Sequence, residues 1–275
     1  MLVSGRMQLP LDFDDGPLRV CVLGSGSSGN AVVVEAGGQR LLLDAGFSCR
    51  QIEKRLRAVG LEAEGFVGLV LTHEHGDHCR GAARFARRHG VPVWGTRGTL
   101  TASGLEGAPG VEVRLLASSR SVAIGDLQVT PFAVPHDAVE PVGLVVEDRA
   151  GRRIGLAGDL GTASRLAWAH LAELDVLVLE TNHDLEMLRS GPYPWPLKQR
   201  VAARHGHLSN REASEALPEL LADRLRHVVL YHLSRTNNRP AIALAEIGEM
   251  LAREGSRAQI HVTRQDGPSR WIAVG

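Results

Sequence analysis

The segment 73–78 carries the side chains best suited to bind a metal ion, in the order HEHGDH. It follows a short apolar run that is typical of a buried strand. In an extended chain, residues two apart point to the same side, so His73 and His75 can bind one ion. After the glycine turn, Asp77 and His78 point toward a second position. Imidazole and carboxylate groups suit zinc, manganese or iron.

Short apolar runs separated by turn residues predict that the first half of the chain is rich in strands. The predicted strands are Arg19–Gly24, Ala31–Glu35, Leu41–Asp44 and Gly68–Thr72. The capping-box pair Ser48 and Gln51 predicts a helix that ends at about Val59. A second helix is predicted over His78–His89, and strands and loops are expected from Val91 to Leu156.

From Thr162 onward the pattern alternates between helix and strand. Helices are expected over Ala163–Leu171, over residues 195–204, from Ser209 to about Asp223, and over Arg239–Ala252. Strands are expected over Val176–Glu180, His227–His232, Gln259–Thr263 and Trp271–Val274. We therefore predict an α/β fold, a four-layer αββα sandwich in which two packed sheets carry helices on their outer faces. Residues 19–275 are expected to form this single domain after a flexible tail over residues 1–18.

The composition is that of an ordinary globular protein. Of the 275 residues, 44% are hydrophobic and 23% are charged, which argues against extensive disorder. No apolar run reaches the roughly 18 residues that a membrane helix needs. The N-terminal segment also lacks the apolar core of a signal peptide. We therefore expect a cytoplasmic protein without a membrane partner.

The charge balance limits how the chain can bind nucleic acid. The 31 basic side chains are matched by 31 acidic ones, so there is no overall positive charge to hold a phosphate backbone. Two segments are nevertheless basic and contain no acidic residue. Residues 80–97 include Arg80, Arg84, Arg87, Arg88 and Arg97, and residues 189–211 include Arg189, Lys198, Arg200, Arg204 and Arg211. They are either solvent-exposed helix faces or local contacts for DNA.

The motif His-x-His-x-Asp-His and four polar residues near strand ends together resemble the metallo-β-lactamase-fold superfamily. The four residues are Asp44, His136, Asp159 and His232. The resemblance implies two bound divalent metal ions, with zinc, manganese and iron as the candidates. The implied ligands are His73, His75 and His136 for one ion and Asp77, His78 and His232 for the other, with Asp159 bridging both. Asp44 would orient a ligand histidine or the loop backbone from the second layer of residues.

This ligand set implies hydrolysis. Two cations about 3.5–4 Å apart can share a bridging hydroxide that forms near neutral pH and acts as the nucleophile. The same cations would polarise an ester oxygen and stabilise the negative charge that develops on it. Asp77 and Asp159 are also candidates for the catalytic transfer of protons. The expected enzyme is a metallohydrolase.

Residues 24–29 fit the G-x-G-x-x-G pattern of dinucleotide-binding loops, but the residues after them argue against that function. A nucleotide-binding helix would have to begin at this loop. The chain continues instead with the apolar run Ala31–Val34 and a Gly-Gly hairpin, which predicts a strand. We expect the loop to face the metal cleft, with Ser28 and Asn30 as substrate contacts.

Position 159 and the C-terminal third narrow the choice of substrate. The best-known zinc β-lactamases carry a cysteine where this chain has Asp159, which argues against β-lactam hydrolysis. Thioester hydrolases of the glyoxalase II type share the aspartate and stay open as an alternative. Other segments resemble the YycJ-like branch, small bacterial proteins described as 5′→3′ exonucleases on duplex DNA. These segments are residues 27–30, 135–137, 180–184, 206–210 and 232–238.

Related nucleases use a Gly-His-x-Ser element in which the histidine contacts the scissile phosphate. This resemblance implies that His207 is a catalytic group that stabilises the phosphate. The further phosphate-binding residues that we expect are His183, Ser209, Asn237 and Asn238. The residues alone leave other roles open, because Ser209 also caps a helix and His183 could lie in an exposed turn. The two asparagines could equally cap the helix that follows them.

Larger nucleases of this fold insert a domain that clamps nucleic acid, and no such insertion fits between Asp159 and His232. DNA would then be held by the arginine segments or by the partner subunit of a homodimer. We expect a phosphodiesterase with two metal ions that acts as a 5′→3′ exonuclease on duplex DNA. A phosphodiesterase for small cyclic or nucleotide diesters is the first alternative, favoured by the neutral net charge. A glyoxalase II-like thioester hydrolase is the second.

Overall fold

A computed structural model describes residues 16–275 of the chain. Within this range the strands are β1 (Leu18–Gly24), β2 (Ala31–Ala36), β3 (Gln39–Leu43), β4 (Phe66–Val70), β5 (Val93–Gly95), β6 (Val113–Leu115), β7 (Val122–Ile124), β8 (Leu127–Ala133), β9 (Val142–Glu147), β10 (Arg153–Ala157), β11 (Val176–Glu180), β12 (His227–Tyr231), β13 (Gln259–Val262) and β14 (Ile272–Val274). They form two seven-stranded sheets over the described residues. The first sheet has the order β14-β1-β2-β3-β4-β5-β6, and the second has the order β13-β12-β11-β10-β9-β8-β7.

The helices of the described residues connect these strands. They are α1 (Cys49–Ala58), α2 (Gly76–Cys79), α3 (Ala82–His89), α4 (Arg97–Ala102), α5 (Arg165–His170), α6 (Leu185–Ser190), α7 (Trp195–Val201), α8 (Asn210–Ala216) and α9 (Pro240–Arg253), with a 3₁₀ helix over Leu217–Leu220. Both predicted caps are present. Ser48 accepts a hydrogen bond from the backbone N–H of Gln51, and Ser209 forms a reciprocal capping box with Glu212.

The alternation of apolar side chains along the strands determines the layers. In β1, Val20 and Val22 face a core that both sheets share, while Cys21 and Leu23 face the helices outside the first sheet. The strands of the second sheet do the same toward α5, α8 and α9. Because side chains alternate between the two faces of a strand, one apolar run serves two cores. The structure therefore confirms the predicted αββα sandwich.

Two predicted helices depart most from expectation. The helix predicted over His78–His89 is divided at Arg80 and Gly81. The backbone N–H of Gly81 donates to the carbonyl oxygen of Ala45 at 2.8 Å and the carbonyl oxygen of Asp77 accepts from Asn30 at 2.8 Å, so the helical hydrogen bond between Gly81 and Asp77 is not made. The helix predicted to end at about Asp223 stops at Ala216 and continues as the 3₁₀ helix, in which Pro218 lacks a backbone donor.

The predicted tail falls largely on residues 1–15, which lie outside the described residues. Its predicted end is wrong at one position, since Leu18 belongs to β1 and pairs with Val274 of β14. No helix within residues 16–275 is long and apolar enough to cross a lipid bilayer.

Candidate active site

One edge of the sandwich collects polar side chains from both sheets. In the first sheet, β4 leads into the segment 73–78. In the second sheet, β10, β11 and β12 are parallel, so their carboxyl ends lie side by side. Asp159, Glu180 and His232 are located at or just beyond these three ends. The carboxyl ends of parallel strands are a common place for a ligand to bind.

The first group of possible ligands contains His73, His75, His136 and Asp159. One donor atom of each residue lies within 4.8 Å of the donor atoms of the others. His75 Nδ1 is 3.3 Å from His136 Nε2, and His73 Nε2 is 3.5 Å from Asp159 Oδ2. The fold thus brings the three histidines of one implied metal position together beside Asp159.

The second group contains Asp77, His78, Asp159 and His232, again with donor atoms within 4.8 Å of one another. His78 Nε2 lies 3.3 Å from Asp159 Oδ2, and His232 Nε2 lies 3.5 Å from Asp77 Oδ2. Asp159 is therefore common to both groups. That is the position a bridging carboxylate requires.

The ring nitrogens that point away from the two groups have partners in the protein. His78 Nδ1 lies 2.7 Å from Asp44 Oδ2, and Asp44 Oδ1 accepts a hydrogen bond from the backbone of Thr72 at 2.9 Å. His136 Nδ1 lies 3.0 Å from the carbonyl oxygen of Gly206. Such partners hold a ligand histidine in one tautomer and one orientation, with the other nitrogen available to a metal ion.

Three buried atoms of the two groups have no hydrogen-bond partner within residues 16–275, namely His73 Nε2, His232 Nε2 and Asp159 Oδ1. Asp159 Oδ1 is 2.9 Å from His232 Nδ1, but the contact lacks hydrogen-bond geometry. Buried polar atoms are nearly always satisfied, and an ion is one reason for an exception. Imidazole nitrogens and a carboxylate oxygen are accepted ligands of divalent ions. The residues therefore fit a divalent metal centre.

Carboxylates dominate the electrostatics of the site. Burial disfavours the charged form of both Asp77 and Glu180. The neighbouring histidines nevertheless hold the pKa of each carboxyl group at about 2, with His232 acting on Asp77 and His207 on Glu180. Burial would lower the pKa of His78, but Asp159 and Asp44 raise it to about 10. Buried negative charge is costly unless it is paired, and a divalent cation would offset it.

Three residues of the site have a strained backbone. Asp44, Asp159 and His232 adopt positive φ angles of 60°, 48° and 57°. This left-handed conformation costs a non-glycine residue about 1–3 kcal/mol and persists only where the surroundings enforce it. The backbone N–H of Asp44 donates to Val70 at 2.8 Å, and that of His232 donates to Ser25 Oγ at 2.7 Å. These contacts help to hold the strained turns in place.

Glu180 belongs to the site although the sequence analysis did not select it. The residue is fully buried at 0% exposure. Its Oε2 accepts hydrogen bonds from the backbone of Leu160 at 2.6 Å and of Leu208 at 3.1 Å. Its Oε1 lies 2.8 Å from His207 Nδ1 and 3.0 Å from His232 Nδ1. The signal that could have revealed it was a lone acidic residue at the end of the apolar strand β11.

His207 lines the cleft, and its Nδ1 is paired with Glu180. Burial would lower the pKa of His207, but the carboxylate of Glu180 raises it above its ordinary value. The ring nitrogen that can meet a substrate is therefore Nε2. Both oxygens of Glu180 are already occupied, so we interpret Glu180 as the residue that positions His207 and His232 rather than as a metal ligand.

The two predicted substrate contacts in the loop after β1 have different surroundings. Asn30 is buried at 0% exposure, its Oδ1 accepts from the backbone of Gly26 at 2.9 Å, and its Nδ2 lies 3.0 Å from His78 Nε2. It therefore joins the loop to the segment 73–78. Ser28 is exposed, and its backbone N–H donates to Gln265 Oε1 at 2.8 Å. The loop residue that lines the cleft is Ser27.

Ser209 and Asn238 lie within the protein and do not line the cleft among the described residues. Ser209 is fully buried, and its hydroxyl group serves the capping box of α8 with Glu212. Asn238 Nδ2 donates to the carbonyl oxygens of Thr181 and Asn182 at 2.9 and 3.1 Å. Both side chains therefore support the loops behind the site.

His183 and Asn237 are also buried, each at 1% exposure. The alternative of an exposed turn for His183 is therefore wrong. Within residues 16–275, the side-chain nitrogen and oxygen atoms of these two residues have no hydrogen-bond partner. Burial lowers the pKa of His183, which favours the neutral ring. Neither residue lines the cleft, whereas the adjacent Asn182 does.

The two ligand groups open into a cleft of about 390 Å³. Besides the ligands and His207, its lining includes residues of α7 and of the loop before it. These are Tyr193, Leu197, Arg200 and Val201. Arg200 comes from the basic segment 189–211, and its Nε donates to Asp137 Oδ2 at 2.6 Å. Within residues 16–275, none of the arginines of the segment 80–97 lines this cleft.

The fold and the ligand groups define a class of protein. Residues 39–233 match the beta-lactamase superfamily domain, which is more than half of the chain. The chain therefore belongs to the metallo-β-lactamase-fold superfamily. This confirms the resemblance seen in the sequence, and it makes the protein a metal-binding hydrolase.

Particular relatives are similar over nearly the whole chain. The exodeoxyribonuclease YycJ of Bacillus anthracis is 33% identical over 259 residues, which cover 92% of this chain and 98% of the relative. The exodeoxyribonuclease WalJ of Streptococcus pneumoniae strain D39 is 33% identical over 237 residues, which cover 84% and 87%. The structure of the metallo-β-lactamase-fold protein YhfI from Bacillus subtilis has a TM-score of 0.70 at 15% identity, and the match covers 92% and 99% of the two chains. The structural likeness to YhfI supports the fold.

Proposed function

We propose that this protein is a dinuclear metal-dependent phosphodiesterase that removes nucleotides from the 5′ ends of duplex DNA. One observation carries the proposal. The two ligand groups share Asp159, and the Glu180–His207 pair lies beside them in the same cleft. The two exodeoxyribonuclease relatives, at 33% identity over most of the chain, support the choice of DNA.

In this proposal His73, His75 and His136 hold one ion, while Asp77, His78 and His232 hold the other. Asp159 serves both positions. Divalent ions at these positions would lower the pKa of a bound water molecule and stabilise the negative charge on a phosphodiester oxygen. Asp44 and the carbonyl oxygen of Gly206 keep the rings of His78 and His136 turned toward the ions.

His207 is the group proposed to contact the phosphodiester. Because Nδ1 is paired with Glu180, Nε2 donates its proton to a phosphate oxygen or to the leaving oxygen. Glu180 positions the ring and stabilises its charged form. Asp77 is less buried than Asp159, with 21% of its side chain exposed against 3%, so it is the better placed of the two to accept a proton from water in the cleft.

A phosphodiesterase for small diesters is the second candidate. Pockets of about 300–1,000 Å³ hold small organic ligands, and the cleft of about 390 Å³ lies within that range. The balance of 31 basic and 31 acidic side chains is also compatible with a small substrate. No described feature favours the thioester hydrolase over these two.

The test uses duplex DNA that carries a 5′-phosphate and an end label, incubated with metal-stripped protein to which Mn²⁺ is restored. Wild-type protein should shorten the labelled strand stepwise from its 5′ end, and the Asp159→Ala variant should not. If the DNA stays intact while bis(p-nitrophenyl) phosphate is hydrolysed, the small-diester function replaces the exonuclease. If neither is cleaved, the phosphodiesterase proposal fails.

Two further predictions accompany this function, a cytoplasmic location and a homodimer that helps to hold DNA. Arg200 is the charged side chain of the basic segments that reaches the cleft. The mass of the protein in solution, measured by light scattering with and without DNA, tests the dimer. If the protein is a monomer and still degrades DNA, the dimer prediction is wrong and DNA is held by Arg200 and its neighbours.

A further inference from the structure

Apolar side chains are exposed next to the ligand groups. The segment 191–197 comprises the loop after α6 and the first three residues of α7, and it places Tyr193 and Leu197 in the lining of the cleft. Leu197 is 37% exposed and Trp195 is 66% exposed. In α7 itself, Val201 is the buried residue. Large apolar side chains that are exposed together mark a contact surface more often than a free one.

This aromatic segment, residues 191–197, is also restrained. Pro192, Pro194 and Pro196 alternate with the two aromatic residues, and each proline ring fixes one φ angle. A Cβ atom on Gly191 would lie 2.4 Å from the carbonyl oxygen of Met187, so the start of the segment is packed closely against α6. The backbone that carries the two aromatic residues is thus restricted before any ligand binds, which lowers the entropy cost of binding.

The size of the cleft limits what can enter it. A cleft of about 390 Å³ lies in the size range of pockets that hold one small ligand. A terminal nucleotide that leaves the base stack can therefore enter it and bring its phosphodiester next to Asp159 and its neighbours. Enzymes that take a nucleotide out of the stack commonly receive its base on aromatic or apolar side chains.

We propose that Tyr193, with Leu197 in the same lining, is the stacking surface for the unpaired base of the nucleotide whose phosphodiester is cleaved. The proposal rests on the proposed phosphodiesterase function and specifies its substrate as a DNA end with an unstacked terminal base. Stacking tolerates any sequence because every base has a π face. Arg200, held by Asp137 in the same cleft, supplies positive charge for the backbone of that nucleotide.

The experiment compares two DNA ends with the metal-loaded, full-length protein. Both duplexes carry a 5′-phosphate on a short unpaired 5′ overhang, so that no base pair has to open at either end. One overhang ends in a normal nucleotide and the other ends in a tetrahydrofuran nucleotide that lacks the base. The proteins are the wild type, Tyr193→Ala, Tyr193→Phe and Leu166→Ala. Leu166 lies on α5, outside the cleft lining, and at 64% exposure it matches the exposed residues of the aromatic segment.

Loss of stacking on an aromatic side chain corresponds to a roughly 5- to 150-fold loss of affinity. Wild-type protein should therefore cleave the normal end with a kcat/KM higher by this factor than the abasic end. Tyr193→Ala should remove most of the difference, because the normal end loses its stacking contact, and a circular dichroism spectrum and thermal midpoint equal to those of the wild type will show that it is folded. Tyr193→Phe and Leu166→Ala should keep the difference.

Equal rates for the two ends in the wild type would overturn the proposed stacking surface but would not contradict the proposed exonuclease function. Equal losses on both ends in Tyr193→Ala would also overturn it, since the residue would then support the cleft and not the base. If the wild type cleaves neither end, the proposed function fails and the stacking surface fails with it.

Discussion

Within residues 16–275, histidine and acidic side chains meet both in the cleft and in a second cluster, and the two sites differ in how their polar atoms are paired. In the α1–α3 cluster, formed by Cys49, Glu53 and His89, the donor atoms lie within 4.8 Å of one another, as they do in the cleft. Glu53 Oε1 lies 3.3 Å from Cys49 Sγ and 3.1 Å from His89 Nε2. Arg88 Nε adds a positive charge 3.0 Å from the same oxygen.

The carboxylates among the cleft's ligand groups have partners of another kind. Within residues 16–275, no lysine or arginine forms an ion pair with Asp77, Asp159 or Glu180, and their ion-pair partners there are histidines. His73 Nε2 and His232 Nε2 are buried without a partner in the same part of the chain. Proximity of ligand-type side chains therefore does not by itself identify a metal centre. In the cleft this proximity is combined with buried ligand nitrogens that have no partner, which the α1–α3 cluster lacks among the described residues.

The largest effect is expected from Asp159→Ala. Both ligand groups contain Asp159, so its loss should release bound metal and lower kcat/KM on a phosphodiester by at least about 10³-fold, equivalent to several kcal/mol of transition-state stabilisation. Metal content by plasma mass spectrometry and the rate of hydrolysis are the two measurements. Glu53→Gln in the α1–α3 cluster is the matched control and should keep both. If Asp159→Ala retained its metal content and its rate of hydrolysis, the metal centre would have to lie elsewhere.

The second-largest effect on activity is expected from substitutions in the Glu180–His207 pair. His207→Ala should lower kcat by about 10²- to 10³-fold, because general acid catalysis contributes in that range. Glu180→Gln should lower kcat less, since the amide still holds the ring while it stabilises the imidazolium poorly. Metal content should stay at the wild-type level in both variants. Loss of metal from Glu180→Gln would show instead that Glu180 supports the metal centre, either as a ligand or through His232.

Removal of metal should change stability only through the cleft. An ion present at about 100 times its Kd stabilises the folded state by about 2.7 kcal/mol. The free energy of unfolding, from urea titrations with and without a chelator, should therefore fall by about this amount in the wild type. Cys49→Ser should show the same fall, because the α1–α3 cluster holds no ion in this interpretation. A smaller fall in Cys49→Ser would mean that this cluster binds metal as well.

The smallest effect is expected from Glu53→Gln. Burial would raise the pKa of Glu53, but hydrogen bonds from Cys49 and His89 and the charge of Arg88 lower it. A carboxyl group with a lowered pKa stabilises the folded state above its unfolded pKa, and the stabilisation is lost as the pH falls through the folded value. The variant should lose about 1 kcal/mol of unfolding free energy at pH 7, and less in acid. Urea titrations at pH 7 and pH 3.5 measure the difference, and a loss that grew in acid would contradict it.

Most of the strands could be predicted because apolar runs with turn residues between them are a local property. The interruption before α3 could not, since it depends on hydrogen bonds from Gly81 to Ala45 and from Asn30 to Asp77, which join separate loops. Among the expected substrate contacts, Asn30 and Ser209 are polar residues in suitable motifs, yet both are used inside the protein. A sequence motif shows which chemical groups its residues carry, but not which partners those groups contact in the folded protein.

The order of the residues alone sets the alternation that makes each strand serve two cores and the spacing that places His73 and His75 on one side of the chain. Which buried atoms are left without partners depends on the folded arrangement. It also decided that Glu180 joins His207 and His232, which are 27 and 52 residues away along the chain. The physical reason is range: propensity and periodicity act between near neighbours, whereas hydrogen bonding, burial and charge depend on whichever residues the fold brings within a few ångströms.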